Sequence, residues 1–142
     1  KETIMNPPTK IFIMDSDRLS LVTLSLWLDQ ERDFQIVGTS LPTGNIERRI
    51  IDSQPDLVFF NISSAGIDAL STLRRLKQVR SDLPVILLYD GDKKDLEGPL
   101  AQESDAQLSP EVSLKELVDV MKKFGYRQKV LTGSHLFMVK AG

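Results

Sequence analysis

The sequence contains no cysteine and a single histidine, His135, and these shortages exclude several kinds of site. Without cysteine the chain has no disulfide, no thiolate nucleophile and no cysteine-based zinc site. No apolar run approaches the roughly 18 residues of a membrane-spanning helix. Residues 1–10 also lack the apolar core of a signal peptide. We therefore expect a cytoplasmic protein that has no membrane segment.

The sequence also lacks a concentration of charge of either sign. Its 18 basic and 20 acidic residues give a formal net charge of -2, and the basic residues are scattered among the acids. A nucleic-acid backbone is bound by clustered lysine and arginine, so we expect no direct nucleic-acid binding by this segment. With 142 residues, of which 41% are apolar, the chain is long enough for one core and too short for two ordinary domains.

What the sequence does contain is a regular alternation of apolar runs and amphipathic stretches. The predicted strands are residues 10–15, 34–39, 56–61, 84–89 and 106–108. Between them, apolar residues recur at helical spacing, as at Leu21, Leu24 and Leu28. Strands that are apolar on both faces need helices on both faces. The pattern therefore predicts an α/β fold, a doubly wound five-stranded parallel sheet with helices on both faces.

Proline and glycine positions predict where two of the helices are interrupted or end. Gly98 and Pro99 fall within the stretch expected to form the fourth helix, which we therefore expect to be short, broken or displaced. The last helix is predicted to start with Pro110 and to stop at Gly125. This gives an N-terminal extension (1–9), one domain (10–125) and a tail (126–142) that is a linker, a terminal strand or a terminal helix.

Polar residues follow most of the predicted strands at their carboxyl ends, where open α/β sheets place their sites. They are Asp15, Ser16 and Asp17 after the first strand, Asn61 after the third, Tyr89 and Asp90 after the fourth, and Ser109 after the fifth. None of these ends carries a GxGxxG or GxxxxGK[ST] loop. The sequence therefore does not support a dinucleotide site or a P-loop.

Several of these residues are also suited to purely structural roles. Asn61 is also suited to capping a turn at the end of a strand. Asp15 and Asp17 are suited to capping the helix that follows, and for Asp17 we favour the cap over a ligand role. Trp27 is predicted to be a packing residue. Asp68 lies beyond the loop that follows Asn61, which argues against a substitute phosphorylation site there.

Four segments together carry a resemblance to a known family. In order, IFIMDSDRLSLVTLSLWLDQERDFQIVG, QPDLVFFNISSAGIDAL, LPVILLYD and DAQLSPEVSLKELVDVM resemble the receiver domain of bacterial two-component response regulators, most of all the branch with a LuxR-type DNA-binding domain. The resemblance covers roughly residues 9–125. It implies a flavodoxin-like, receiver-like fold and a role in signal transduction.

The resemblance also implies which positions correspond to the family's phosphorylation site, and here the chain departs from the pattern. The family's two magnesium-binding acids are matched by Asp15 and Ser16, and its phosphate-accepting aspartate is matched by Asn61. Its phosphate-gripping Ser or Thr is matched by Tyr89, its lysine by Ser109 and its switch aromatic by Ala106. The resemblance therefore points to a degenerate receiver, a pseudo-receiver that has lost its phosphoacceptor.

Physical chemistry explains why these departures occur together. An aspartyl phosphate requires a carboxylate nucleophile, with a cation and a lysine to offset the charge that gathers on the phosphoryl group. The amide of Asn61 has no anionic oxygen, and of the expected magnesium ligands only Asp15 keeps a carboxylate. We expect no catalytic residue, no metal and no cofactor. Tyr89 is predicted to fill part of the vacated space, with its hydroxyl on a polar neighbour or water.

Two functions from different classes follow. The first is a phosphorylation-independent signalling, protein-interaction or dimerisation module that regulates transcription through an output domain not present in this sequence. Its protein partner or second copy is expected on the fourth helix, the fifth strand and the last helix. The alternative is a small-ligand sensor that uses the vacated pocket. A conventional phosphoacceptor is the least supported function.

Overall fold

The computed structural model describes residues 7–62, 68–89 and 98–132, with side chains as far as Tyr126. Strands and helices alternate along these ranges. The strands are β1 (Thr9–Asp15), β2 (Phe34–Ser40), β3 (Leu57–Ile62), β4 (Val85–Tyr89) and β5 (Ala106–Leu108). The helices are α1 (Arg18–Asp29), α2 (Ile46–Ser53), α3 (Ala69–Val79), α4 (Pro99–Glu103) and α5 (Leu114–Thr132). The five predicted strands are confirmed to within a residue at either end.

The strands form one sheet in the order β2-β1-β3-β4-β5, and every neighbouring pair is parallel. Alternate residues of the three central strands, β1, β3 and β4, pack into two core clusters, one on each face, and the edge strands β2 and β5 contribute to one of these clusters. One cluster lies beneath α1 and α5, and the other lies beneath α2, α3 and α4. The predicted doubly wound sheet with helices on both faces is therefore confirmed, because burying both faces of an apolar sheet takes two layers of helices.

Strand order reverses between β1 and β3, because the chain moves outward from β1 to β2 and then returns to the other side of β1. Asp15 and Asn61 are direct neighbours across this pair of strands. The crevice at such a reversal, outside the carboxyl ends of the strands, is where open α/β sheets place their sites. The fold therefore brings together two predicted site residues that are 46 positions apart in sequence.

The predicted bounds of the last helix are wrong at both ends. α5 begins at Leu114, because Ser113 caps it: the Ser113 hydroxyl accepts from the Glu116 backbone N–H and donates to the Glu116 carboxylate, both at 3.1 Å. α5 then continues through Gly125 to Thr132. Gly125 is buried where a Cβ would collide with the side chain of Thr9. This glycine serves close packing of the helix on β1, and does not end the helix.

The fourth helix is short, as predicted. α4 has five residues, with Pro99 in its first turn and Leu100 buried in the core beneath it. Proline is tolerated at that position because the first N–H groups of a helix have no intrahelical partner. The division of the chain at residues 9 and 125 stays a prediction. Within the described part of the chain, no helix combines the length and the apolar character needed to cross a bilayer.

Candidate functional site

The centre of the site is a direct contact between Asp15 and Asn61. Nδ2 of Asn61 donates a hydrogen bond to Oδ2 of Asp15 at 2.8 Å, and the backbone N–H of Asp17 donates to Oδ1 at 2.9 Å. Asp15 has no solvent exposure. An ionised carboxylate only accepts hydrogen bonds, so the amide of Asn61 must present its nitrogen. Both oxygens of this buried acid are thus satisfied from within the protein.

Burial raises the pKa of the Asp15 carboxyl above its ordinary value of 3.8, and the nearby Asp17 carboxylate adds to this rise. The hydrogen bonds from the Asp17 backbone and the Asn61 side chain oppose it, because they stabilise the ionised form. Asn61 therefore gives a buried carboxylate some of the support that a cation would otherwise supply. A second carboxylate at position 61 would instead repel the first at hydrogen-bonding distance.

Asp17 is the N-cap of α1, as predicted. Its exposed side chain accepts from the backbone N–H of Ser20 at 3.1 Å and from the Ser20 hydroxyl at 2.8 Å. These two hydrogen bonds lower the pKa of Asp17. The carboxylate is therefore used to satisfy the open N–H groups at the start of the helix.

The two serines among the predicted site residues have different surroundings. Ser16 is half-buried and follows Asp15 directly in the chain, at the edge of the sheet. Ser109 is exposed, and its hydroxyl accepts from the backbone N–H of Glu111 at 3.3 Å, in the loop that precedes α5. Within the described ranges Ser109 makes no hydrogen bond to Asp15 or Asn61. The structure therefore joins Asp15 with Asn61 and leaves Ser109 bonded within its own loop.

Tyr89 and Ala106 lie at the other two predicted positions. Tyr89 is the last residue of β4, in register with Ile62, and its half-buried ring packs against the core cluster beneath α2, α3 and α4. Ala106 begins β5 beside Ile86 and packs against the opposite cluster. The idea that Tyr89 fills space beside Asn61 stays a prediction. A small alanine at the switch position leaves no ring there to change rotamer.

Residues 63–67 and 90–97, which include the predicted Asp90, lie outside the described residues. The small-ligand alternative stays a prediction. Across residues 7–62, 68–89 and 98–132, no three of His, Cys, Asp or Glu are grouped so that they could hold a metal ion. Asp15 is the buried carboxylate of this region, and both of its oxygens already accept an N–H group.

No protein-family model matches this sequence. Among curated proteins, it is 30% identical over 82 residues to a protein-glutamate methylesterase/protein-glutamine glutaminase of Trichodesmium erythraeum (strain IMS101). The match covers 57% of this chain and 23% of that relative. The chain thus corresponds to less than a quarter of the relative's length.

Solved structures give a much broader match. A response regulator receiver domain from Clostridium thermocellum superposes with a TM-score of 0.73 at 19% identity, covering 87% of this chain and 98% of the other. A LuxR-family two-component response regulator from Aurantimonas sp. SI85-9A1 gives 0.71 at 13% identity, covering 84% and 86%. The chain therefore has the flavodoxin-like fold of receiver domains.

Sequence reasoning missed one surface, the outer side of α1. Trp27 was predicted to be a packing residue, but 52% of it is exposed. Leu19, Val22 and Leu26 on the same helix are also exposed. A signal was present in the stretch RLSLVTLSLWLD, whose apolar residues are too many and too widely spread for one buried side of a helix.

Proposed function

We propose that this chain is a receiver-fold signalling module that works by protein contact, without being phosphorylated. One observation carries the proposal. At the carboxyl end of β3, where the resemblance puts the phosphate-accepting aspartate, Asn61 uses its amide to donate a 2.8 Å hydrogen bond to the buried Asp15. The amide cannot attack phosphorus as a carboxylate does, because its nitrogen donates to Asp15 and its oxygen carries no negative charge.

The surroundings of Asn61 support the same proposal. Transfer of a phosphoryl group needs positive charge near the accepting oxygen, usually from a metal ion held by carboxylates and from a lysine. At the corresponding positions the chain has Ser16 and Ser109, and the Ser109 hydroxyl accepts from its own loop. The losses of the nucleophile, of a metal-binding acid and of the lysine are chemically consistent with one another.

We further propose that the module acts in the cytoplasm and regulates transcription through an output domain outside this sequence. The match in fold to a LuxR-family response regulator supports this assignment. The predicted contact surface on α4, β5 and α5 suits a polar protein partner, because its exposed side chains are mostly amides and charges. They include Gln102, Gln107, Lys115, Glu116 and Asp119.

The proposal is tested by mixing the 142-residue chain with a small phosphodonor and Mg²⁺ and measuring its intact mass. We expect no gain of a phosphoryl group, whereas a receiver domain that has an aspartate at this position, treated in parallel, gains one. Partner binding or self-association measured with and without the phosphodonor should be the same. A phosphoryl adduct on the wild-type chain that hydroxylamine removes, as it removes acyl phosphates, would overturn the proposal.

A further inference from the structure

The outer side of α1 presents large apolar side chains to solvent. Leu19 is 74% exposed, Val22 56%, Leu26 61% and Trp27 52%. These four residues are called the outer α1 stripe below. A surface helix normally keeps polar residues on the side away from the core. Leu24 and Leu28 are the buried residues of α1 and pack against the sheet. The stripe therefore has no role in covering the sheet.

The spacing within the stripe is that of a helix that packs against another helix. Leu19 and Leu26 are seven residues apart, and Val22 lies between them at the third position, as in the a and d positions of a heptad. Elsewhere on the described surface, exposed apolar residues are isolated, as Ile51 is on α2. Isolated residues of that kind are ordinary, whereas a continuous row on one helix indicates a contact surface.

Two charged residues at the ends of α1 give the stripe a direction. Arg18 is the first residue of the helix and Asp29 is the last. They are eleven residues apart, close to three full turns at 3.6 residues per turn, so they stand on the same side of the helix. Both are exposed, and within the described part of the chain neither forms an ion pair.

We propose that the outer α1 stripe is the contact of a homodimer, in which the α1 helices of two copies pack antiparallel about a two-fold axis. In that arrangement Leu19 of one copy lies opposite Leu26 of the other. Arg18 of each copy then reaches Asp29 of the other, so both charges, which form no ion pair among the described residues, gain a partner. The surface is complementary to itself, as the interface of a two-fold dimer must be.

The size of the stripe sets the strength of the contact. α1 has 12 residues, so it is roughly 18 Å long. One face of such a helix buries less than the ~800 Å² per partner of a standard stable interface. The antiparallel arrangement adds a favourable alignment of the two helix dipoles. We therefore expect a weak, reversible dimer that forms as the concentration rises, well below the stability of an obligate one.

The test is sedimentation velocity of the full 142-residue chain over a wide dilution series. We expect a monomer–dimer equilibrium that Leu26→Lys abolishes, because it places a charge against Leu19 of the other copy at both ends of the contact. Ile51→Lys is the matched control, since Ile51 is a similarly exposed apolar residue on α2, and it should leave the equilibrium unchanged. Circular dichroism should show that both variants remain folded.

A charge exchange tests the antiparallel geometry. Arg18→Glu alone and Asp29→Arg alone should each weaken the dimer by roughly fivefold or more, because each variant reverses two pairs that are each worth about 0.5 kcal/mol. An equimolar mixture of the two variants should dimerise again, because each chain then meets opposite charges at both ends. Neither change harms the helix, since a negative N-terminus and a positive C-terminus suit its dipole.

Several results would overturn the proposal. They are a wild-type chain that stays monomeric at every concentration, a dimer that survives Leu26→Lys, and variants whose mixture associates no better than either alone. A dimer that appears only after residues 133–142 are removed would also overturn it, because that segment would then be what covers the stripe. Phosphorylation of a residue beside Asn61 would contradict the proposed function without affecting the dimer, so the two proposals can be disproved separately.

Discussion

The carboxyl ends of β1 and β3 contrast with the outer side of α1, the helix that begins three residues after β1, in how their side chains find partners. At the strand ends, the buried Asp15 has an internal hydrogen-bond donor for each oxygen. On α1, apolar side chains meet solvent, and Arg18 and Asp29 form no ion pair within the described ranges. The first region is closed chemically, and the second is open to a partner.

This contrast is the physical basis of the proposed function. In a doubly wound sheet the strand ends at the reversal point are the natural place for chemistry. Here an amide and a carboxylate satisfy each other at that place. A surface row of apolar residues, in contrast, costs free energy in water until something covers it. The two regions therefore support the proposal that the chain works by protein contact.

The largest expected effect comes from replacing a leucine by alanine on the inner side of α1, compared with the same replacement on its outer side. Leu28 is fully buried and Leu26 is largely exposed. Leu28→Ala should lower the free energy of unfolding by about 2–5 kcal/mol, because it removes buried methyl groups and leaves a cavity. Leu26→Ala should change it by no more than about 0.5 kcal/mol. Urea denaturation of dilute protein, where no dimer forms, measures both. Equal losses at the two sites would contradict an inner and an outer side.

A smaller effect tests whether hydrogen bonds stabilise the contact between Asp15 and Asn61. Asp15→Ala leaves Nδ2 of Asn61 and the Asp17 backbone N–H without this acceptor. Because Asn61 is only half-buried and Asp17 is exposed, we expect the two losses together to cost about 1–3 kcal/mol. Asp15→Asn should be much milder, because its carbonyl oxygen accepts from Asp17 while a rotated Asn61 accepts from the new amide. The comparison of their unfolding free energies isolates these donors. Equal destabilisation by the two variants would refute the contact.

The smallest effect concerns pH and uses Asp15→Asn as the reference. Burial raises the folded-state pKa of Asp15 above its ordinary 3.8. Stability from this group is therefore fully present below 3.8 and is lost as pH rises through the folded pKa. Asp15→Asn lacks this loss, so its stability relative to wild type should improve from acid to neutral pH. Thermal unfolding of both proteins across that range measures the difference. A difference that does not vary with pH would show that Asp15 titrates normally.

Much of the fold was predictable because the strands are apolar on both faces and therefore show as uninterrupted runs. The five strands and the short α4 are confirmed. Pro110 predicts a helix start at that residue, whereas α5 begins after Ser113, which has with Glu116 the spacing of a capping box. Its end was missed because glycine is an ordinary stop signal. Gly125 is there for contact with Thr9, which no local pattern reveals.

The candidate site was predictable in its chemistry and less so in its contacts. That Asn61 lacks a nucleophilic oxygen follows from the residue type alone. Two contacts depend on distances between strand ends and loops. They are the hydrogen bond from Asn61 to Asp15 and the hydrogen bond that the Ser109 hydroxyl accepts within its own loop. Local propensity carries no information about such distances, so these contacts were outside the reach of the sequence.

The order of apolar runs, amphipathic stretches and turn residues by itself determined that this chain forms a parallel sheet between two layers of helices. It also determined that an amide stands at the carboxyl end of the third strand. These features depend on residue types and on spacing within a few turns. The tertiary structure alone decided that Asp15 and Asn61 satisfy each other and that Leu19, Val22 and Leu26 face outward. Both depend on the register of strands and the rotation of a helix on the sheet, which the packing of the whole core sets.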